Sequence, residues 1–177
     1  MKNEKSNIIL IGMPGVGKST VGLILAKGLG YDFIDVDLLI AKKQGTPLQE
    51  IIDAQGIDAF LAIENEVGRT LKAEQTVLAP GGSIVFSEAA MENLKRLGPC
   101  IYLKLPIDQL EARIAHNKDS RGIVGAPNAT IGDIFEIRRP LYERYADFTI
   151  DCDGKEPEEV AEAVLAAIEA LSGGTCP

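Results

Sequence analysis

Ile8-Ile9-Leu10-Ile11-Gly12-Met13-Pro14-Gly15-Val16-Gly17-Lys18-Ser19-Thr20 runs from a short apolar stretch through a glycine-rich turn into a lysine and two hydroxyl residues. Four consecutive aliphatic residues closed by a glycine suit a strand buried on both faces. Beyond the turn, Val21, Ile24, Leu25 and Leu29 recur at helical spacing, and Gly30 stands where a helix would end. Strand, glycine turn and helix are the setting in which Gly12 to Ser19, a match to G-x-x-x-x-G-K-[ST], makes a phosphate cradle. The glycines let successive backbone N–H groups turn inward, Lys18 brings a mobile positive charge, the Ser19 hydroxyl suits Mg²⁺, and the new helix presents its positive end. Pro14, Gly15, Val16, Gly17, Lys18, Ser19 and Thr20 are therefore the expected nucleotide contacts. A dinucleotide fingerprint fits less well, because Thr20 stands where the third glycine after Gly15 and Gly17 should be.

The same alternation continues downstream. Phe33–Val36, Val77–Ala79, Ile101–Leu105 and Phe148–Ile150 read as further short strands, each separated from the next by a helical pattern. Thr46-Pro47-Leu48-Gln49 reads as an N-cap, a first-turn proline and a capping-box partner, so a helix is expected from Pro47. A last helix is signalled by Pro157 among Glu156, Glu158 and Glu159, with Val160, Val164, Ile168 and Leu171 on one face and Gly173-Gly174 as its stop. Strands alternating with helices predict an α/β fold with a mostly parallel sheet covered on both faces. A length of 177 residues suits one domain over 1–177. Residues 116 to 130 break the pattern, being polar and rich in Gly, Asn and Pro, and read as a lid.

The chain is 46% hydrophobic, 25% charged and carries a net charge of −8, which disfavours nucleic acid and anionic membrane as partners. The first apolar run is far too short for a membrane span or the core of a signal peptide. Cys100, Cys152 and Cys176 show no C-x-x-C spacing, so neither a disulfide framework nor a zinc site is expected, and the thiols read as packing or tail residues of a cytoplasmic protein. A monomer is expected.

Among nucleotide proteins, a switch GTPase needs Asn-Lys-x-Asp, whereas Asn117-Lys118-Asp119 is followed by Ser120. Asp151 and Gly154 have D-x-x-G spacing but follow that pair, which is the wrong order. A motor ATPase needs more chain. Asp35-Val36-Asp37, at the end of the second strand, decides the matter. In a doubly wound sheet such strand ends line the ligand crevice, and next to a phosphate cradle on the adjoining strand one carboxylate can hold Mg²⁺ through water while the other accepts a proton from an attacking hydroxyl. Alone, the pair would equally suit a helix start with an Asp as N-cap.

With the cradle, Asp35-x-Asp37-x-x-Ile40, Gly45, Phe60 and Glu64, Gly81-Gly82, Arg113, Arg121, Arg138-Arg139-Pro140-Leu141-Tyr142, Asp151-x-Asp153 and Pro157-Glu158-Glu159-Val160 in place, the sequence resembles the shikimate kinase family nearly end to end. The resemblance implies a P-loop kinase with a five-stranded parallel sheet and a mobile lid, transferring a phosphoryl group from ATP, with Mg²⁺, to a hydroxyl of a small hydroxylated carboxylic acid. It implies that Lys18 and Ser19 bind phosphate and metal, Asp35 supports the metal through water, and Asp37 holds and activates the acceptor. Gly81 and Gly82 would line the acceptor, Gly82 through its backbone. Arg138 would pair with the acceptor carboxylate, Arg113 would lie against adenine, and Arg121 on the lid would neutralise the transferring phosphoryl. By their own sequence context Arg138 reads as a surface partner of Glu136 or Asp147, and His116, Tyr142 and Tyr145 carry no chemistry.

Departures from the family pattern cluster on the acceptor side and the lid. Leu61 stands where the family has an arginine expected to grip the shikimate carboxylate, Ser83 replaces a third glycine, and Arg121-Gly122-Ile123-Val124 replaces Arg-Pro-Leu-Leu. A lost charge-assisted pair of this kind is worth ~1.5 to 3 kcal/mol. Shikimate therefore leads as acceptor, with another hydroxy acid such as homoserine as the alternative. An ATP-binding regulatory protein without turnover is the reading from another class, and the retained Asp37 speaks against it.

Overall fold

The computed structural model describes residues 7–116, 124–125 and 128–172. Five parallel strands, β1 (Ile8–Ile11), β2 (Asp32–Asp35), β3 (Thr76–Ala79), β4 (Cys100–Lys104) and β5 (Phe148–Asp151), form one sheet in the order β2-β3-β1-β4-β5. Helices connect them: α1 (Lys18–Leu29), α2 (Val36–Gln44), α3 (Leu48–Gln55), α4 (Ile57–Thr70), α5 (Glu88–Leu97), α6 (Ile107–His116), α7 (Ile131–Tyr145) and α8 (Pro157–Ser172). The central strand β1 is buried at every residue, as its unbroken apolar run requires, with Ile9 level with Leu78 on one side and Cys100 on the other. The edge strands β2 and β5 are only partly covered, β2 carrying an aspartate at each end and β5 alternating apolar with polar residues.

All five expected strands are present, each within a residue of its expected limits. β2 stops one residue early because Asp35 is the N-cap of α2, its Oδ1 accepting from the Leu38 N–H at 3.2 Å, so Val36 already belongs to the helix. The strand carrying the aspartates does not adjoin β1 as expected: β3 lies between them. At α3 the expected capping box does not form. Pro47 is itself the N-cap, the Thr46 hydroxyl donates to Glu50, and the Gln49 amide turns to Asp53. A reciprocal box closes instead at Thr130 and Asp133, at the start of α7.

Asn7 fixes the entry to β1. Its amide donates to the carbonyls of Ala73 (2.8 Å) and Leu97 (3.1 Å), and its Oδ1 accepts from Thr76 N–H (3.0 Å), tying β1 to two connections at the end of the sheet away from the cradle. Cys100 and Cys152 are buried free thiols whose pKa values burial pushes up to about 12 and about 11, which suits packing and not reactivity. Cys176 and Gly173-Gly174 lie outside the described residues. Among the described residues no helix is long and apolar enough to cross a membrane.

Candidate functional site

The carboxyl ends of β1, β2 and β3 open on one cleft of about 700 Å³, lined at one end by Pro14, Gly15, Gly17 and Lys18 and at the other by Asp37, Gly81, Gly82 and Arg138. Gly15 (φ 84°) and Gly17 (φ 106°) adopt left-handed backbone that favours glycine, and this is what bends the cradle around. Gly17 is the N-cap of α1 and gives it no side-chain partner, so the first N–H groups of the helix face the cleft available to an anion. The Lys18 ammonium donates to the carbonyls of Gly12 (2.8 Å) and Met13 (3.0 Å), which holds it over the cradle. Val16 departs from its neighbours: its side chain is buried in the core, and only its backbone takes part, its carbonyl accepting from Arg113 Nη1 at 3.2 Å. That contact brings Arg113 of α6 beside the cradle. Thr20 also lines the cleft.

Ser19 Oγ donates to Asp35 Oδ2 at 2.8 Å, across the width of β3. Asp35 thus caps α2 with one oxygen and meets Ser19 with the other, so its structural and functional readings hold together. A hydroxyl and a carboxylate, both hard oxygen donors, fit Mg²⁺, which takes few protein ligands and keeps phosphate and water for the rest. Among the described residues there is no group of three or more His, Cys, Asp or Glu that could hold a metal.

At the acceptor end, Gly81 and Gly82 permit contacts that a side chain would block. A Cβ on Gly81 would lie 2.5 Å from Asp37 Oδ1 and 2.8 Å from Glu64 Oε1; one on Gly82 would lie 2.8 Å from Arg138 Nη1 and 3.1 Å from the Tyr142 hydroxyl oxygen. That hydroxyl donates to the Gly82 carbonyl at 2.7 Å, leaving the Gly82 N–H as the backbone donor on offer. Tyr142, stacked on Tyr102 with centroids 5.1 Å apart, is a core residue that shapes the turn.

Arg138 is not the surface residue its sequence context suggests. It is 1% exposed, its Nη2 donates to the Val124 carbonyl, its guanidinium carbon lies 5.5 Å from the Phe86 ring centroid, and its Nε has no partner. None of the ion pairs among the described residues includes it: Glu136 pairs with Arg139 (3.2 Å) and Asp147 with Lys95 (2.9 Å). A guanidinium buried without a carboxylate is costly unless an anion joins it.

Glu64 is the residue that sequence reasoning left without a role. It is 2% exposed on α4, with Oε2 accepting from Ser83 Oγ at 2.7 Å and Oε1 unpartnered. Burial pushes its pKa up to about 7, the Ser83 hydrogen bond opposing, Asp37 adding to the rise, and Arg138 and Lys18 drawing it down. A signal was present: Glu64 sits one helical turn after the apolar Phe60, so the helical period places a carboxylate on the core face. Ser83, in place of a third glycine, is explained by that hydrogen bond. Leu61 packs partly buried against the core and lines a second cavity of about 420 Å³ together with Glu64, Ser83 and Phe86. His116 is exposed at the cleft edge. Arg121 and most of 116–130 lie outside the described residues, although Val124 within that stretch is buried.

The sequence profile of the family described as shikimate kinase matches residues 14–169. The chain belongs to the shikimate kinase family. A shikimate kinase of Thermodesulfovibrio yellowstonii is 38% identical over 170 residues, covering 95% of this chain and 98% of that one. The structure of a shikimate kinase from Acinetobacter baumannii in complex with shikimate superposes with a TM-score of 0.85 at 31% identity, over 95% of each chain. A gluconokinase from Sinorhizobium meliloti, at TM-score 0.59 and 18% identity, shares the fold alone. As a member of the shikimate kinase family the chain is an ATP-using phosphotransferase with an alcohol group as acceptor.

Proposed function

We propose that this chain transfers the γ-phosphoryl group of ATP to a hydroxyl of shikimate. The observation that carries the reading is Arg138: a buried guanidinium with an unpartnered Nε, at the far end of a cleft that begins at a phosphate cradle, asks for a carboxylate on the same molecule that offers the hydroxyl. Lys18 and the N–H groups at the start of α1 hold the phosphates. Ser19 and Asp35 would hold Mg²⁺, which when bound offsets charge on the β- and γ-phosphates. Asp37, in the first turn of α2 and facing Gly81, accepts the proton of the attacking hydroxyl. The Gly82 N–H steadies the acceptor, Arg113 borders the adenine, and Arg121 neutralises charge on the transferring group.

Coupled ATP turnover with shikimate, gluconate and nucleoside monophosphates tests this, efficient turnover of shikimate alone being the expected result. One observation favours a second reading, in which the acceptor is a different small hydroxy acid. Among the described residues lining the cleft the cations are Lys18, Arg113 and Arg138, with His116 at its edge, and Leu61 adds no charge where the family has an arginine. Poor shikimate turnover by an otherwise active enzyme would select it.

A further inference from the structure

Arg138 lines the cleft as a cation that no carboxylate holds. Among the described residues at the acceptor end it stands alone in its charge, since Lys18 and Arg113 belong to the cradle, and no ion pair of the described residues includes it. Neutral groups orient it instead. Nη2 donates to the Val124 carbonyl, Nη1 stands 2.8 Å from where a Gly82 Cβ would sit, and the guanidinium carbon lies over the Phe86 ring, 5.5 Å from its centroid. Tyr142, one helical turn on, brings a neutral hydroxyl beside it, and Glu64 feels its charge from α4 without pairing with it.

Phe86 differs from these neighbours in where it sits. It lines the second cavity and not the cleft, so it acts on the acceptor end through Arg138. It ends the one-turn 3-10 helix Ile84–Phe86 that follows the glycine pair, where its N–H donates to the Ser83 carbonyl at 3.0 Å and the Ile84 N–H donates to Gly81 at 3.2 Å. Ser83 is anchored in turn by its hydrogen bond to Glu64. The ring is thus carried by a turn pinned beside the acceptor. It is 45% exposed while the guanidinium behind it belongs to a residue only 1% exposed, so the ring forms part of the cover over that charge. An aromatic face attracts a cation, and a cation shielded from water pairs more strongly with an anion. An aliphatic side chain would supply the cover without the attraction.

We propose that Phe86 is a positioning residue for acceptor binding, its ring holding the Arg138 guanidinium in the orientation that receives the acceptor carboxylate. This rests on the reading of Arg138 given above and adds the residue that sets how well its pair with the acceptor forms.

The test measures Mg-ATP-dependent turnover of shikimate and of its methyl ester, which keeps the hydroxyls and lacks the charge, by the full chain and by Phe86→Leu and Phe86→Tyr. Phe86→Leu is expected to raise KM for shikimate about threefold to thirtyfold, the range that a cation–π contact spans between exposed and covered sites. KM for ATP should not follow, and the preference for shikimate over the ester should narrow by the same factor. Phe86→Tyr, which restores an aromatic face, is expected to keep the parent's preference. A merely structural role of the ring would move both acceptors together and leave that preference where it is. Should Phe86→Leu fail to fold, Phe86→Met is read in its place. An unchanged preference in the non-aromatic variant, a rise in KM for ATP matching that for shikimate, or a Phe86→Tyr that behaves like Phe86→Leu would each overturn the proposal and leave the kinase reading intact. A parent enzyme that turns over shikimate no better than the ester, or not at all, would overturn the Arg138 reading and this proposal together.

Discussion

Replacing Glu64 by glutamine should make the protein more stable at pH 8 and leave it nearly unchanged at pH 5. In the unfolded chain this carboxyl releases its proton near 4.5; in the fold, burial and the neighbouring Asp37 delay release until about 7. The folded state therefore binds more protons than the unfolded state across that window, and stability falls as pH rises through it. At 1.36 kcal/mol per pH unit the loss from Glu64 alone reaches about 3 kcal/mol once both states are ionised. Glutamine keeps an oxygen for the Ser83 hydroxyl, which donates at 2.7 Å, and offers an amide toward Asp37, so little packing is lost. Urea unfolding of the two proteins at pH 5, 6, 7 and 8 isolates the effect, because titrating groups that do not interact with Glu64 cancel in the difference. That difference should grow in favour of the variant by about 2.5 kcal/mol between pH 5 and pH 8, the remainder having been lost below pH 5. A difference that is the same at both ends would refute the placement of Glu64 as a buried, poorly compensated carboxyl.

Four further outcomes are expected. Lys18→Ala should abolish turnover with a nearly unchanged urea midpoint, since the side chain lines the cleft and its ammonium reaches the carbonyls of Gly12 and Met13 over the cradle. Asp37→Asn should lower kcat by ~10² to 10⁴ while ATP binding by calorimetry survives, as a lost proton acceptor requires. Gly81→Ala should damage acceptor kinetics more than ATP affinity, because its Cβ would meet Asp37 Oδ1 at 2.5 Å and Glu64 Oε1 at 2.8 Å. Leu61→Arg should lower KM for shikimate and flatten the pH dependence of stability attributed to Glu64; a higher KM together with loss of the native acceptor would mean that the pocket is built for another acid.

Gly12 to Thr20 was legible in the sequence because everything it does is local. The strand ahead of it, the positive-φ glycines and the helix start are consecutive residues, so pattern and geometry coincide. Element types elsewhere followed from periodicity, while boundaries slipped where a side chain chose among backbone partners, as Asp35 did in capping α2 and Thr46 did in turning to Glu50. Strand order was not legible: β3 enters between β1 and β2 through sheet pairing that no local pattern encodes. Arg138 misled by its neighbours in sequence, since Glu136 and Asp147 are taken by other cations and its real surroundings, Val124 and Phe86, arrive from distant segments.

The same contrast explains why the departures from the family gather on one side of the cleft. A cradle made of consecutive backbone groups tolerates little change, because a substitution at Gly15 or Gly17 strains the chain whatever it does to the ligand. The acceptor end is assembled from side chains on α2, α4 and α7 around the turn after β3, and each can change without disturbing the sheet. Leu61 shows how: it packs against the core as an apolar residue and lines the second cavity together with Glu64. Removing one cation there does not merely weaken a grip on a carboxylate. The Glu64 and Asp37 carboxyls converge beside Gly81, and burial with Asp37 outweighs the pull of Arg138 and Lys18, so Glu64 keeps its proton up to about pH 7. An acid bearing only hydroxyls binds while Glu64 is protonated, and its affinity should therefore weaken as pH rises past about 7.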